Sequence, residues 1–462
     1  MVPFGFTPSS SDDEFDENNP ASSQPDGATG GNPENGENQD LSALFAMLQE
    51  QMQSQFGESL PVDMTKDIQE QFAKLGINPM GFLNALGKSD SALPLNISRD
   101  IAKQYVAAHG SAMIGTTDVA VYQEAMGIAD LWLNSATVFP AHSNVKNIYS
   151  RADWVDATMN GWQKTVEPLA NGLAKAMTSI VEEQALPENT LPLAQVAGLL
   201  RSFIGTMIAT QLGQSIGGLA ASVTGAHDVG LPLLEPALPA LVPENIALWG
   251  TDIGIEPSEV RIFHALREGA IARLFDNNPW LIEYMRNAIA EYGKGIRIDV
   301  EAMQRQAEEA IDSGAIDPNN PETFKVALNE GLFTPEESPA QVEALTKLET
   351  ALALIDGWAD DVTTLAAADR LPSLNALRET LRRRRATSSP AQQLFASLFG
   401  LEVSPRMARE SSAFWSQIRS LRDVSARDQI WSGILPTHEE LTDAEGYLRS
   451  IEVPDDLSSL TD

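Results

Sequence analysis

The chain is expected to fold as a mainly α protein, and three observations predict it. Apolar residues recur at three- and four-residue spacing through most of the sequence, the period at which a helix returns to one face. The apolar–polar alternation of half-buried strands is scarce. Hydrophobic residues make up 43% of the 462 residues, ample for a packed core.

Taken in order, residues 1–40 are rich in Ser, Asp, Glu, Asn, Gly and Pro, and no Lys or Arg precedes Lys66. Self-repulsion and low hydrophobicity predict a disordered acidic tail there. Phe4 and Phe6, flanking Gly5, read either as a short docking motif or as an ordinary unstructured start. Residues 41–95 form an amphipathic helical segment, with Leu41, Leu44, Phe45, Leu48, Met52 and Phe56 on one stripe that either packs in the core or docks on another protein. The body spans 96–450, with helical patterns over 98–114, 117–134, 151–183, 192–223, 258–292, 299–313, 338–367, 373–387 and 405–421. Residues 451–462 form a C-terminal tail.

The 192–223 pattern is the most apolar. Arg201, Gln211 and Gln214 interrupt it at a cost hydrocarbon would not tolerate, so a buried spine is expected rather than a membrane span. Gly205, Ala209, Gly213, Gly217 and Ala221 recur every fourth residue, a ridge that lets another helix approach closely, in the core or in a homo-oligomer. The following connection carries prolines at 232, 236, 239 and 243, which forbid one continuous helix. An ordered connection of that length is expected to wall a site.

A formal charge of −33 argues against nonspecific nucleic-acid binding and against docking on anionic lipid. The absence of cysteine removes disulfides, thiolate metal sites and cysteine nucleophiles. The sequence holds five histidines, His109, His142, His227, His264 and His438, too scattered to suggest a preformed zinc site. No P-loop or G-x-G-x-x-G occurs. Without a basic start followed by an apolar run, a cytoplasmic protein is expected.

The segments RADWVDATMNGWQKTVEP (151–168), QLGQSIGGLAASVTGAHDVGLPL (211–233), LREGAIARLFDNNPWL (266–281), ALIDGWADDV (353–362) and LPSLNALRETLRRRRA (371–386) together resemble an actinobacterial family of zincin-like metallopeptidases. Its members are often labelled hydrolases, and one branch is associated with deazaflavin-coenzyme biosynthesis. The resemblance covers nearly the whole chain and implies a multi-helix zincin-like body. It also places Arg267, Glu268, Gly269, Ala270 and Ile271 where a zinc helix reads His-Glu-x-x-His, and Asp356, Gly357 and Trp358 where an EGHG-type segment follows. The glutamate of that motif, Glu268 here, is the family's general base. A guanidinium and an aliphatic chain at the two imidazole positions cannot donate a lone pair to zinc.

The expected function is therefore a non-catalytic member, binding a peptide or protein partner in the cleft between 258–292 and 338–367. His264, Arg267, Ile271, Asp356 and Trp358 are the cleft candidates, and Glu268 a vestigial base whose bland reading is a pairing with Arg261, Arg267 or Arg273. No cofactor is expected. The alternative is a working hydrolase in which His264, Glu268 and Asp356 hold zinc; a third reading is an oligomeric scaffold built on the small-residue ridge. His227 and Asp228 suit either acid–base chemistry or helix capping. Arg382, Arg383, Arg384 and Arg385 either complement a helix dipole or receive the acidic tail around Asp12 to Glu17, or a partner's acidic segment.

Overall fold

A computed structural model describes residues 93–141, 145–183, 193–251, 253–296, 305, 338–399 and 405–451. The acidic tail, the 41–56 stripe and, apart from residue 305, the 299–313 pattern lie outside them. Helices dominate, as predicted: α1 (Leu95–His109), α2 (Thr116–Leu133), α3 (Arg151–Glu183), α4 (Leu193–Ala220), α5 (Pro243–Gly250), α6 (Pro257–Asn277), α7 (Pro279–Gly295), α8 (Pro339–Ala367), α9 (Leu374–Ser388), α10 (Pro390–Phe399), α11 (Pro405–Leu421), α12 (Val424–Gln429) and α13 (Ala444–Ile451). The described strands are two-residue segments, β1 (Asn147–Ile148) and β2 (Ala240–Leu241), paired in parallel.

The 258–292 pattern is corrected to two helices. Pro279 lacks the N–H a continuing helix needs, and Asn278 before it sits at φ −131°, ψ 65°, outside the helical region. The break turns the chain so that α6 and α7 pack separately. A capping box opens α8: Ser338 Oγ accepts the Gln341 N–H at 3.3 Å and Gln341 Oε1 accepts the Ser338 N–H at 3.0 Å, with Pro339 at the first helical position.

The small-residue ridge on α4 is covered within the chain. A Cβ at Gly213 would sit 2.7 Å from the Ser98 carbonyl oxygen and one at Gly217 2.6 Å from Tyr105 Cβ, so α1 lies directly on the ridge. Ser98 Oγ closes the contact by donating to the Ala209 carbonyl at 2.9 Å. Among the described residues, no helix is long and apolar enough to cross a membrane.

One large core holds α6 and α8 at its centre, with Trp154, Trp162, Trp358, Trp415 and Trp431 fully buried. Gly357 lets α11 approach α8, since a Cβ there would collide with Ser411. A buried ionic knot fixes the far side of α8. Arg427 donates to Asp361 at 2.8 Å and to the Ala136 carbonyl at 2.7 Å, while Asp428 accepts from Thr137 Oγ1 at 2.7 Å and from Trp358 Nε1 at 2.9 Å. Every member has a partner, the condition under which buried charge is tolerated.

Candidate functional site

Almost every side chain of α6 from Phe263 to Phe275 is buried, so the polar ones among them must find partners inside the protein. Glu268, 4% exposed, turns toward the 221–242 connection. Its carboxylate accepts from the backbone N–H groups of Ala226 (3.1 Å), His227 (3.1 Å) and Ala240 (3.0 Å), and meets His227 Nδ1 at 2.8 Å. The expected pairing with Arg261, Arg267 or Arg273 is not what forms. Neighbours along a helix point elsewhere, whereas the connection turns three backbone N–H groups toward the carboxylate, that of Ala226 shared with the Ala240 carbonyl at 3.1 Å. Gly225 makes room for this arrangement: a Cβ there would lie 2.7 Å from the Glu268 carboxyl carbon and 2.9 Å from the Ala240 carbonyl oxygen.

On the opposite side of His227 opens a cavity of about 350 Å³. Its walls come from the 227–230 turn, from Arg267 and Ile271 of α6, from Leu352, Asp356 and Asp360 of α8, from Arg378, Leu381, Arg382 and Arg385 of α9, and from Arg409 and Ser412 of α11. Ion pairs line it. Asp356 binds both Arg267 and Arg385. Arg385 also reaches Asp228 at 2.8 Å. Asp360 takes two bonds from Arg378, at 2.9 and 2.7 Å, one from Arg382 at 3.0 Å, and one from Ser412 Oγ at 2.5 Å. Burial works to raise the Asp360 carboxyl, yet the bonds from Arg378, with Arg267 and Ser412, hold it well below the usual carboxylate range. Asp228 is likewise held low against its burial, by Arg385 and by the Thr224 backbone N–H.

The cavity lies between α6 and α8, with α9 as an additional wall. Of the candidates, Arg267, Ile271 and Asp356 line it. Trp358 does not; it is fully buried, and its indole N–H goes to Asp428. His264 also stays in the core, 3% exposed and edge-on to Trp249 at 4.6 Å. Burial, reinforced by Arg267, Arg385 and Arg384, lowers its imidazole to about 3 despite Asp228. Glu268 lies behind His227 rather than in the cavity wall. His264, Glu268 and Asp356 therefore have three separate environments, and among the described residues no three His, Asp or Glu side chains converge as a metal would require. Zinc does not fit the groups present: the neighbours of Asp356 are the guanidinium groups of Arg267 and Arg385, and the Glu268 oxygens are taken by N–H donors.

Asp228 caps no helix end; it accepts from Thr224 N at 2.9 Å and Thr224 Oγ1 at 3.0 Å within the turn beyond α4 and pairs with Arg385. The arginine run does more than complement a dipole. Arg382 and Arg385 enter the cavity, Arg384 lies over Trp249 at 4.7 Å, and Arg383 pairs with Glu379 on the exposed face. The sequence reading passed over Arg378. The signal was there: 378, 382 and 385 are spaced by four and three, so three guanidinium groups share one face of α9.

Fold and cavity define a mainly α protein with a charged cavity between α6, α8 and α9. A profile for zincin-like metallopeptidases matches residues 95–448, and the chain belongs to the zincin-like metallopeptidase family. Among solved structures, one described as a "putative hydrolase with a novel fold" from Chloroflexus aurantiacus is similar at a TM-score of 0.54 and 15% identity, covering 78% of this chain and 100% of that one; the likeness is one of fold. No curated protein matches.

Proposed function

We propose that this chain is a family member with a degenerate zinc motif, which uses the α6–α8 cleft to bind a peptide or protein segment without zinc-dependent hydrolysis. The observation that carries the reading is the engagement of Glu268. A general base must present its carboxylate to a water at the reacting centre, whereas these oxygens face four N–H donors of the 226–240 segment. Arg267 supports the same reading, since it supplies Asp356 with a fixed cation at the position the family resemblance gives to a zinc ligand.

Elemental analysis of untagged protein purified without chelator tests this. Zinc, iron and manganese well below one per chain are expected, and Asp356→Ala should leave that content unchanged. Near-stoichiometric metal that disappears in Asp356→Ala or His264→Ala would overturn the reading in favour of a hydrolase with a rewired site.

A further inference from the structure

The cavity is unevenly charged. Toward the interior, Arg267 and Arg385 are matched two against two by Asp356 and Asp228. Toward α11, Arg378 and Arg382 share the single carboxylate of Asp360, and Arg409 stands exposed in the same wall. With Glu349 included, five arginines face four acids around the cavity, in a chain of net charge −33. The surplus lies on the accessible side: the Arg382 side chain is 41% exposed, against 6% for Arg267.

A second feature points to a ligand independently. His227 is completely buried and lines the cavity, yet its Nε2 has no hydrogen-bond partner. Glu268 Oε1 already accepts two backbone N–H groups, so the ring nitrogen beside it donates as well, which leaves Nε2 as the unmatched polar atom of the ring. Buried polar atoms are rarely left unmatched. Between these two features the wall is apolar, with Ile271, Leu352 and Leu381.

We propose that the cavity binds an acidic segment of a peptide: an Asp or Glu carboxylate pairs with Arg382 and Arg409, and a neighbouring polar group of the same segment pairs with His227 Nε2. This rests on the peptide-binding reading above and adds the ligand's chemistry to it. Arginine suits the task because its planar fork matches a carboxylate with two parallel bonds. The volume of about 350 Å³ lies at the lower end of ligand pockets, roughly 300–1,000 Å³. It takes one or two side chains and leaves the rest of a peptide outside.

The test uses the full chain and two matched libraries of N-acetylated, C-amidated pentapeptides, random except for a central Glu in one and Gln in the other. Retention in equilibrium dialysis is read by mass spectrometry. Glu peptides should be retained about tenfold better, the worth of one well-formed charged hydrogen-bond pair. The preference should disappear in Arg382→Ala/Arg409→Ala, a variant whose fold is checked by circular dichroism and thermal melting. His227→Gln, which still offers Glu268 a donor, should weaken retention of the Glu library further. Equal retention of both libraries would overturn the acidic specificity and leave peptide binding standing, whereas retention of neither would overturn both. Competition by free glutamate or succinate at the same concentration as the peptides would assign the site to small carboxylates and overturn the peptide as ligand.

Discussion

Glu268 Oε1 and His227 Nδ1 lie 2.8 Å apart, in the interior of the protein, and this pair fastens α6 to the connection that follows α4. Three backbone N–H groups share the same carboxylate, so Glu268 ties two parts of a proline-interrupted segment to α6. Glu268→Gln replaces one oxygen by an amide that turns its own donors toward those N–H groups. Stability should fall by about 2–3 kcal/mol, the cost of buried polar groups left unmatched, seen as a lower urea midpoint. An unchanged midpoint would mean the carboxylate is dispensable to the fold and would return it to the list of catalytic candidates.

Gly225 and Glu268 should be energetically coupled. A methyl group at 225 would press on the carboxylate and on the Ala240 carbonyl, so Gly225→Ala alone is expected to destabilise by about 1–3 kcal/mol. Glu268→Ala removes one of the two obstacles. In the double variant the cost of the added methyl should be smaller than in the wild type, a non-additivity above about 0.5 kcal/mol that a double-mutant cycle resolves. Strict additivity would show that the carboxylate does not occupy this space.

Asp356 serves two guanidinium groups, one of them on Arg267, whose side chain is 6% exposed. Asp356→Asn would leave that cation without its counterion. Breaking a fully buried pair costs about 3–5 kcal/mol; because Asp356 is 26% exposed, solvent screening reduces the expected loss to about 2–3 kcal/mol. Adding Arg267→Met to Asp356→Asn should recover most of it. Failure of the second substitution to recover stability would show that the arginine is not the group Asp356 holds.

How much of this could be read beforehand depends on whether the signal was local. The α3 and α8 helices follow from apolar period and from the Ser-Pro-Ala-Gln start at 338–341, a capping signal contained in four residues. The cleft between α6 and α8 was legible through family resemblance, and Arg267, Ile271 and Asp356 do line it. Trp358 was misplaced because an aromatic beside a motif residue carries no mark of which face it occupies; its partner Asp428 lies 70 residues away. The Glu268–His227 pair was also hidden by distance. Helical period says that Glu268 shares a face with His264, but nothing local says that an irregular segment 41 residues earlier brings its backbone N–H groups to that carboxylate. The break at Pro279 was written in the sequence and overridden there by an apolar period that continues across it.

His264 should make stability fall on acidification well before the carboxylates titrate. Burial, with Arg267, Arg385 and Arg384, brings its pKa from the ordinary 6.5 to about 3, against the opposing pull of Asp228. Between these values the unfolded chain binds a proton that the folded chain refuses. Stability therefore rises with pH across this window and is lost as pH drops below about 6.5, at up to about 1.4 kcal/mol per pH unit for one group. Asp228 and Asp360, whose carboxyls lie below their ordinary 3.8 in the fold, contribute in the same direction only nearer pH 4 and below, which leaves pH 4.5–6.5 for the histidine. His264→Phe keeps an aromatic ring against Trp249 and removes the proton site. Urea midpoints measured across that interval should decline toward acid in the wild type and flatten in the variant; equal slopes would show that His264 is protonated as readily in the fold as in the unfolded chain.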